Sequence, residues 1–350
     1  MKKTGLLLSN LGTPADPSPA AVRRYLAEFL ADPRVLDIGA FGRWALLNLI
    51  ILPTRPKKSA AAYQKVWTEA GSPLLVHSVA LQRAVQVKLG DDWVVELGMR
   101  YGAPSIDSAL TRLREQGVDR IVFLPLYPQY AASSTGSSIE ELYRIAGQRW
   151  VTPSLATVEA FYDDPGFIEA FAVIGREVIA SAKPDHLLFS YHGLPERQIE
   201  KADDTGAHCL KSATCCDEIV PTNRNCYRAQ CYATTRALVA ALGTAPAHSV
   251  SFQSRLGRTP WIKPYTDVVM PELYEKGVRR LVVFCPAFVA DCLETLEEIG
   301  IRAQEDWRAL GGESLTLVPS LNASPAWVSA VIDLVRNQAR RFGIERTEVA

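Results

Sequence analysis

The sequence lacks any excess of charge: 38 Lys and Arg balance 38 Asp and Glu over 350 residues. A chain without a basic surplus has no bulk electrostatic hold on phosphates, which argues against nonspecific nucleic-acid binding by bulk charge. No run of 18 apolar residues occurs, so no segment is expected to span a bilayer. Neither GxGxxG nor GxxxxGK(S/T) follows any expected strand, so neither a dinucleotide nor a triphosphate is expected on the sheet. The opening MKKTGLLLSNLG imitates a secretory leader only faintly, with three leucines before Ser9-Asn10 and a turn at Gly12-Thr13-Pro14. It reads as a first strand, and the expected compartment is the cytoplasm. Cysteine is missing from most of the chain. All seven lie between Cys209 and Cys292, a distribution that favours metal or redox use over a disulfide framework.

What is present is a balanced globular composition, 48% hydrophobic and 22% charged, long enough for two domains with proper cores. Buried strands are expected at 4–11, 94–99, 120–126, 186–191, 249–253 and 280–285, with weaker ones near 155–158 and 315–318. Helical patterns at 20–31, 79–89, 105–116, 231–242 and 268–276 lie between them. Strands alternating with helices imply an α/β fold with a doubly wound parallel sheet. The chain also echoes itself. LLLSNLG (6–12) is similar to LLFSYHG (187–193), and MRYGAP…EQGVDRIVFLPLYP (99–128) is similar to SRLGRTP…EKGVRRLVVFCPAF (254–288). Two similar halves are expected, 1–160 and 161–342, followed by a tail, 343–350.

Two constellations carry chemistry. In LLFSYHGLPER (187–197) an apolar strand ends at Gly193-Leu194-Pro195, which leaves His192 at a carboxyl edge, where α/β sheets bind ligands. Leu11 holds the matching place in the first half. In DCLETLEEIG (291–300), Asp291, Glu294 and Glu298 share one face of an expected α-helix that starts after the strand ending at Cys285. An imidazole facing carboxylates suits divalent-metal delivery and proton removal.

Three further stretches depart from a plain repeat. The apolar segment 38–53, with basic Arg55, Lys57 and Lys58 behind it (a lip of about 38–58), is either a core helix or an exposed lip over an apolar ligand or membrane surface. Trp44 and the basic flank favour an interfacial role. QYAASSTGSS (129–138) reads as a small-residue loop able to wrap an anion. The insertion at about 207–233 holds five cysteines spaced C-x5-C-C-x9-C-x4-C. Zinc prefers closed pairs, for which only Cys226-x4-Cys231 comes near, whereas an iron–sulfur cluster tolerates irregular spacing. Four of the five would suffice. Adjacent Cys215 and Cys216 are expected to point apart, so that only one of them is a ligand.

LLFSYHGLPER, GMRYGAP, LPLYPQYAASSTGSS, SFQSRLGRTPWIKPYTD and FCPAFVADCLETLEEI together resemble the ferrochelatase family over residues 3–340. The resemblance implies insertion of Fe(II) into protoporphyrin IX by two flavodoxin-like halves with the porphyrin in the cleft between them. It implies His192 and Glu294 as the catalytic pair and as metal contacts, with Asp291 and Glu298 as an acidic track. Leu11, Arg100, Tyr101, Tyr130, Trp261 and Phe288 match porphyrin-pocket residues, and Tyr63 and Ser72 match residues near its mouth. Residues 38–53 match a hydrophobic lip, hence possible peripheral membrane contact. Certain bacterial relatives carry an internal [2Fe–2S] cluster, for which Cys209, Cys216, Cys226 and Cys231 are the expected ligands and Cys215 the alternative. This chain departs from many relatives in having Cys292 where they have histidine. A chelatase for coproporphyrin III or for a cobalt-accepting tetrapyrrole shares the pattern. A non-catalytic porphyrin carrier or iron–sulfur sensor does not need both His192 and Glu294.

Overall fold

The computed structural model describes residues 3–243, 246–257 and 259–344, so residues 345–350 of the expected tail lie outside the described residues. All eight expected strands form: β1 (Thr4–Gly12), β2 (Trp93–Tyr101), β3 (Arg120–Pro125), β4 (Ser154–Thr157), β5 (His186–His192), β6 (Ala247–Gln253), β7 (Arg280–Phe284) and β8 (Ser314–Leu317). They build two parallel sheets of the same topology, β2-β1-β3-β4 and β6-β5-β7-β8, so β1 and β5 hold equivalent central places. The strands are near-continuous apolar runs because both faces of each sheet are covered by helices. Leu6, Leu7 and Leu8 are fully buried, as are Leu187, Leu188 and Phe189.

A glycine stands at the exit of each central strand, Gly12 ending β1 and Gly193 following β5, for a steric reason. A Cβ on Gly12, whose φ is +114°, would lie 1.9 Å from the Tyr101 carbonyl oxygen. A Cβ on Gly193 would lie 2.8 Å from that of Gln253. At the same place in each sheet, the backbone of the neighbouring strand approaches too closely for any side chain.

The chain forms two compact units. The first comprises residues up to Tyr127, Ala132–Glu159 and residues from Asn322 on; the second comprises Pro128–Ala131 and Ala160–Leu321. The terminal helix Pro325–Arg341, expected with the second half, therefore belongs to the first unit. Its Gln338 amide donates to the Thr157 carbonyl at 2.6 Å, and Ser329 receives Lys88 at 2.8 Å. Hydrophobic periodicity marks such a helix as amphipathic but does not say which sheet its apolar face covers.

Two segments differ from expectation. Residues 38–53 do not end at Pro53: helix Ala40–Ala45 runs through a π-helical turn, Leu46–Ile51, into helix Leu52–Val66. Pro53 sits in a first turn, where no N–H is needed. Pro56 leaves the Leu52 carbonyl without its helical donor, and the Arg23 guanidinium supplies one at 2.6 Å. One side of this segment is core, through Leu47 and Leu52, whereas Phe41, Trp44, Leu49 and Ile50 are exposed by 81, 55, 65 and 58%. Among the described residues, no helix is long and apolar enough to cross a membrane. The stretch 129–138 is not a loop throughout: Ala132–Gly136 is a π-helical turn that enters helix Ser137–Gly147, with Ser137 and Ser138 fully buried.

Candidate active site

In the second unit, His192 closes β5 half-buried, with Nδ1 2.6 Å from the Gly193 carbonyl oxygen. A carbonyl only accepts, so Nδ1 carries the proton and the lone pair lies on Nε2. The ring is flanked by Trp261 and Phe288, with centroids at 6.5 and 6.3 Å. Trp261 is held there because residues 260–262 pair with the strand exit: Ile262 N–H donates to Leu194, and Glu196 N–H to Pro260. Gln253, beside His192 in register at the end of β6, is buried and spans to the acidic segment. Its amide donates to the Glu294 carbonyl at 2.9 Å, and its oxygen accepts from Ser190 at 2.7 Å.

The acidic segment is not the expected α-helix. Glu294–Ala303 winds as a π-helix, and Asp291 precedes it. Asp291 is buried, with Oδ1 accepting from the Thr295 hydroxyl at 3.0 Å and the Ser320 N–H at 3.2 Å. Glu294 is half-buried, and the nearby Cys292 thiol is pushed well up by burial and then by the Glu294 charge. Glu298 spends both oxygens on Ser254, taking its N–H at 2.9 Å and its hydroxyl at 2.5 Å. Ser254 has a left-handed φ of 66°, a strain of roughly 1–3 kcal/mol that persists only where neighbours hold it. Glu298 therefore secures the entrance to the Trp261 loop. Tyr130, also in this unit, is half-buried with its N–H on the Gln230 side chain at 2.6 Å.

In the first unit, Arg100 is fixed by Ser137 (2.6 Å) and Asp32 (2.7 Å) and packs over the Tyr101 ring at 4.4 Å. Asp32 Oδ2 also accepts from the Tyr101 hydroxyl (2.8 Å) and Ser137 (2.5 Å). Burial works against the Asp32 carboxylate, but the Ser137, Arg34 and Tyr101 hydrogen bonds and the Arg100 charge outweigh it and lower its pKa. Tyr101 is 1% exposed, so it backs Arg100 and offers no open face. Ser72 is buried and accepts from Thr13 at 2.7 Å; Tyr63 packs edge-on to Trp67. Leu11 is half-buried near the end of β1. No local motif announces Asp32 or Gln253, because their partners lie far away in sequence.

The cysteine insertion folds around its thiols. The Cys215 and Cys216 sulfurs lie 3.7 Å apart and both residues are buried, which corrects the expectation that they diverge. Two thiolates on one tetrahedral metal with bonds of about 2.3 Å would sit ~3.8 Å apart. Cys226 is an electrostatic neighbour of both Cys209 and Cys216. Cys231 instead sits on helix Tyr227–Leu242, fully buried. Polar anchors hold the loop: Asp203 accepts from the His208 and Cys209 N–H groups, both at 2.8 Å, and buried Asn223 donates to the Cys215 and Glu218 carbonyls. Arg228 donates to Cys216 Sγ at 3.1 Å. Burial pushes the Cys209 and Cys215 thiols up; the bond to Cys226, then burial, does so for Cys216. Among the described residues, no group of three or more His, Cys, Asp and Glu side chains is arranged to hold a single metal ion. One sulfur pair in contact, Cys215–Cys216, with Cys226 acting on both Cys209 and Cys216, fits a binuclear cluster better than one tetrahedral ion.

The family model described as ferrochelatase matches residues 3–339. A ferrochelatase of Coxiella burnetii (strain Dugway 5J108-111) is 48% identical over 341 residues, covering 97% of this chain and 95% of the relative. A ferrochelatase of Legionella pneumophila (strain Paris) is 48% identical over 338 residues, covering 96% and 99%. Among solved structures, SirB from Bacillus subtilis with Fe3+ matches at a TM-score of 0.53 and 14% identity, covering 97% of this chain and 98% of that one. The sirohydrochlorin chelatase SirB from Bacillus subtilis subspecies spizizenii, in complex with cobalt, matches at 0.54 and 12% identity, covering 98% of each. At such identity these two structures support the fold alone.

Proposed function

The chain belongs to the ferrochelatase family, and from that premise we propose which of its residues carry the insertion of Fe(II) into protoporphyrin IX. The reaction exchanges two pyrrole N–H protons for one metal ion, so it needs a base near the macrocycle face and a polar route for metal or protons. His192 is that base. The observation that carries this reading is the Nδ1 contact to the Gly193 carbonyl, which leaves the accepting lone pair on Nε2 between two aromatic side chains. Glu294 is the partner carboxylate, held through its carbonyl by Gln253. Asp291 and Cys292 stand next to it, and Cys292 replaces a histidine-based metal route with a buried thiol that stays protonated. In the first unit, the Asp32 carboxylate orients the Arg100 guanidinium. Trp261 and Phe288 give the macrocycle an apolar wall that supports bending, with strain supplied from binding energy.

The experiment is anaerobic haem formation from Fe(II) and protoporphyrin IX, followed by absorbance. His192→Ala should lose about 10²–10⁴-fold in turnover, the contribution of a positioned base, with porphyrin binding retained. Normal turnover by that variant would end the assignment.

The insertion suits a [2Fe–2S] cluster on Cys209, Cys215, Cys216 and Cys226: the Cys215 and Cys216 sulfurs lie side by side, Cys226 is an electrostatic neighbour of both Cys209 and Cys216, and Cys231 stands apart on its helix. A bound cluster would supply the positive charge that keeps buried thiols ionised. Protein as isolated should absorb in the visible and bleach with dithionite; colourless protein with stoichiometric zinc would overturn this. The exposed Phe41, Trp44, Leu49 and Ile50 beside Arg55, Lys57 and Lys58 support peripheral contact with an anionic bilayer. Co-sedimentation with phosphatidylglycerol vesicles, lost in a Phe41→Ser/Trp44→Ser protein, tests this contact.

A further inference from the structure

Within the second unit, one side chain joins the thiols to the histidine's surroundings. The Arg228 guanidinium is held on three sides: Nη1 donates to Cys216 Sγ at 3.1 Å, Nε to the Lys263 carbonyl at 3.3 Å, and Nη2 to the Tyr232 hydroxyl at 3.3 Å. Its plane lies over the Tyr232 ring, 4.9 Å from the centroid. Lys263 is two residues from Trp261, whose ring neighbours His192 and whose loop is paired to Leu194–Glu196. A guanidinium is a rigid fork. Nη1 and Nε therefore move together, and a shift toward the sulfur changes the hold on the carbonyl.

We propose that Arg228 is a positioning residue that couples the cysteine insertion to the Trp261 wall, making porphyrin affinity and the electron affinity of the cluster dependent on each other. This rests on the four-cysteine cluster reading given above. An added electron on the cluster makes the Cys216 sulfur more negative and strengthens its claim on the cation. Arg228 then gives up part of its bond to Lys263, and the wall loosens. Porphyrin, by fixing the wall, draws the cation the other way. Linkage requires the two effects to be equal in free energy, so porphyrin binding lowers the midpoint potential and reduction weakens porphyrin binding by the same factor.

The test is an anaerobic dithionite titration of protein as isolated, each cluster accepting one electron from dithionite, followed by electron paramagnetic resonance. It is run with and without protoporphyrin IX and with no added iron. The midpoint should fall when porphyrin is present, and Arg228→Gln should remove that shift while still binding porphyrin. Should Arg228→Gln fail to retain the cluster, Arg228→Lys, which keeps the charge but not the fork, should retain it and lose the shift. A wild-type midpoint that ignores or rises with porphyrin, or a shift that survives in the variant, overturns the proposal and leaves the cluster reading standing. Wild-type protein without visible absorption or a reducible signal removes the cluster reading and the proposal together.

Discussion

Replacing Gln253 with Leu removes three buried hydrogen bonds, the third a long one from the Cys285 thiol at 3.8 Å, while nearly keeping side-chain volume, so it isolates what this amide does. The donation to the Glu294 carbonyl, at 2.9 Å, is lost, and that carbonyl opens the π-helical segment. The acceptor for Ser190 is lost too, but Ser190 keeps Thr266 as a partner at 3.0 Å. A buried acceptor left without its donor costs about 1–3 kcal/mol, and a lost neutral pair about 1. The expected loss in unfolding free energy is therefore about 2–3 kcal/mol, measured by urea titration. Turnover should fall further than this loss alone would require. Glu294 is then held only by its own helix, and a displacement of about 1 Å at a reacting group costs on the order of 10²-fold in rate. The assay is anaerobic haem formation at saturating porphyrin. Gln253→Glu sharpens the test: it still accepts from Ser190 but sets an oxygen against the Glu294 carbonyl, and should be at least as slow. Turnover within twofold of wild type in Gln253→Leu, with the stability loss present, would refute the role given to this residue.

Asp32→Asn should destabilise the first unit by about 2–4 kcal/mol, because it strands the buried Arg100 charge; a urea midpoint within error of wild type would contradict it. His186 is pushed down to about 4 by burial, with the charges of His248 and Lys276 adding to it. The unfolded chain protonates this residue near 6.5, so its contribution is complete above that pH and fades as pH falls toward 4, by up to ~3 kcal/mol. Melting temperatures from pH 7 to 4.5 should fall less steeply in His186→Asn, and parallel curves would contradict the assignment. Cys215→Ser should abolish the visible absorption and Cys231→Ser should retain it; the opposite result would return Cys231 to the ligand set.

The alternation of apolar strands and helices was legible in the sequence because burial on both faces leaves a local signature, as in Leu6–Leu8 and Leu187–Phe189. His192 was legible for the same reason, a polar residue at the abrupt end of such a run, and five crowded cysteines needed no structure to be noticed. The winding of Glu294–Ala303 was not legible, since i, i+3 and i+7 acids read as one α-helical face and nothing local separates a π-helix from an α-helix. The contact between the Cys215 and Cys216 sulfurs also lay outside it, because spacing does not tell which sulfurs meet. The same holds for Asp32, Gln253 and Arg228, each defined by partners far along the chain. The sequence by itself determined the fold class, the two-fold repeat and the family, all of which follow from short-range pattern. Only the tertiary structure decided which thiols meet, which carboxylate is clamped on Ser254 and which sheet the last helix covers, because those outcomes depend on long-range packing and on hydrogen bonds between segments that meet only in the folded chain.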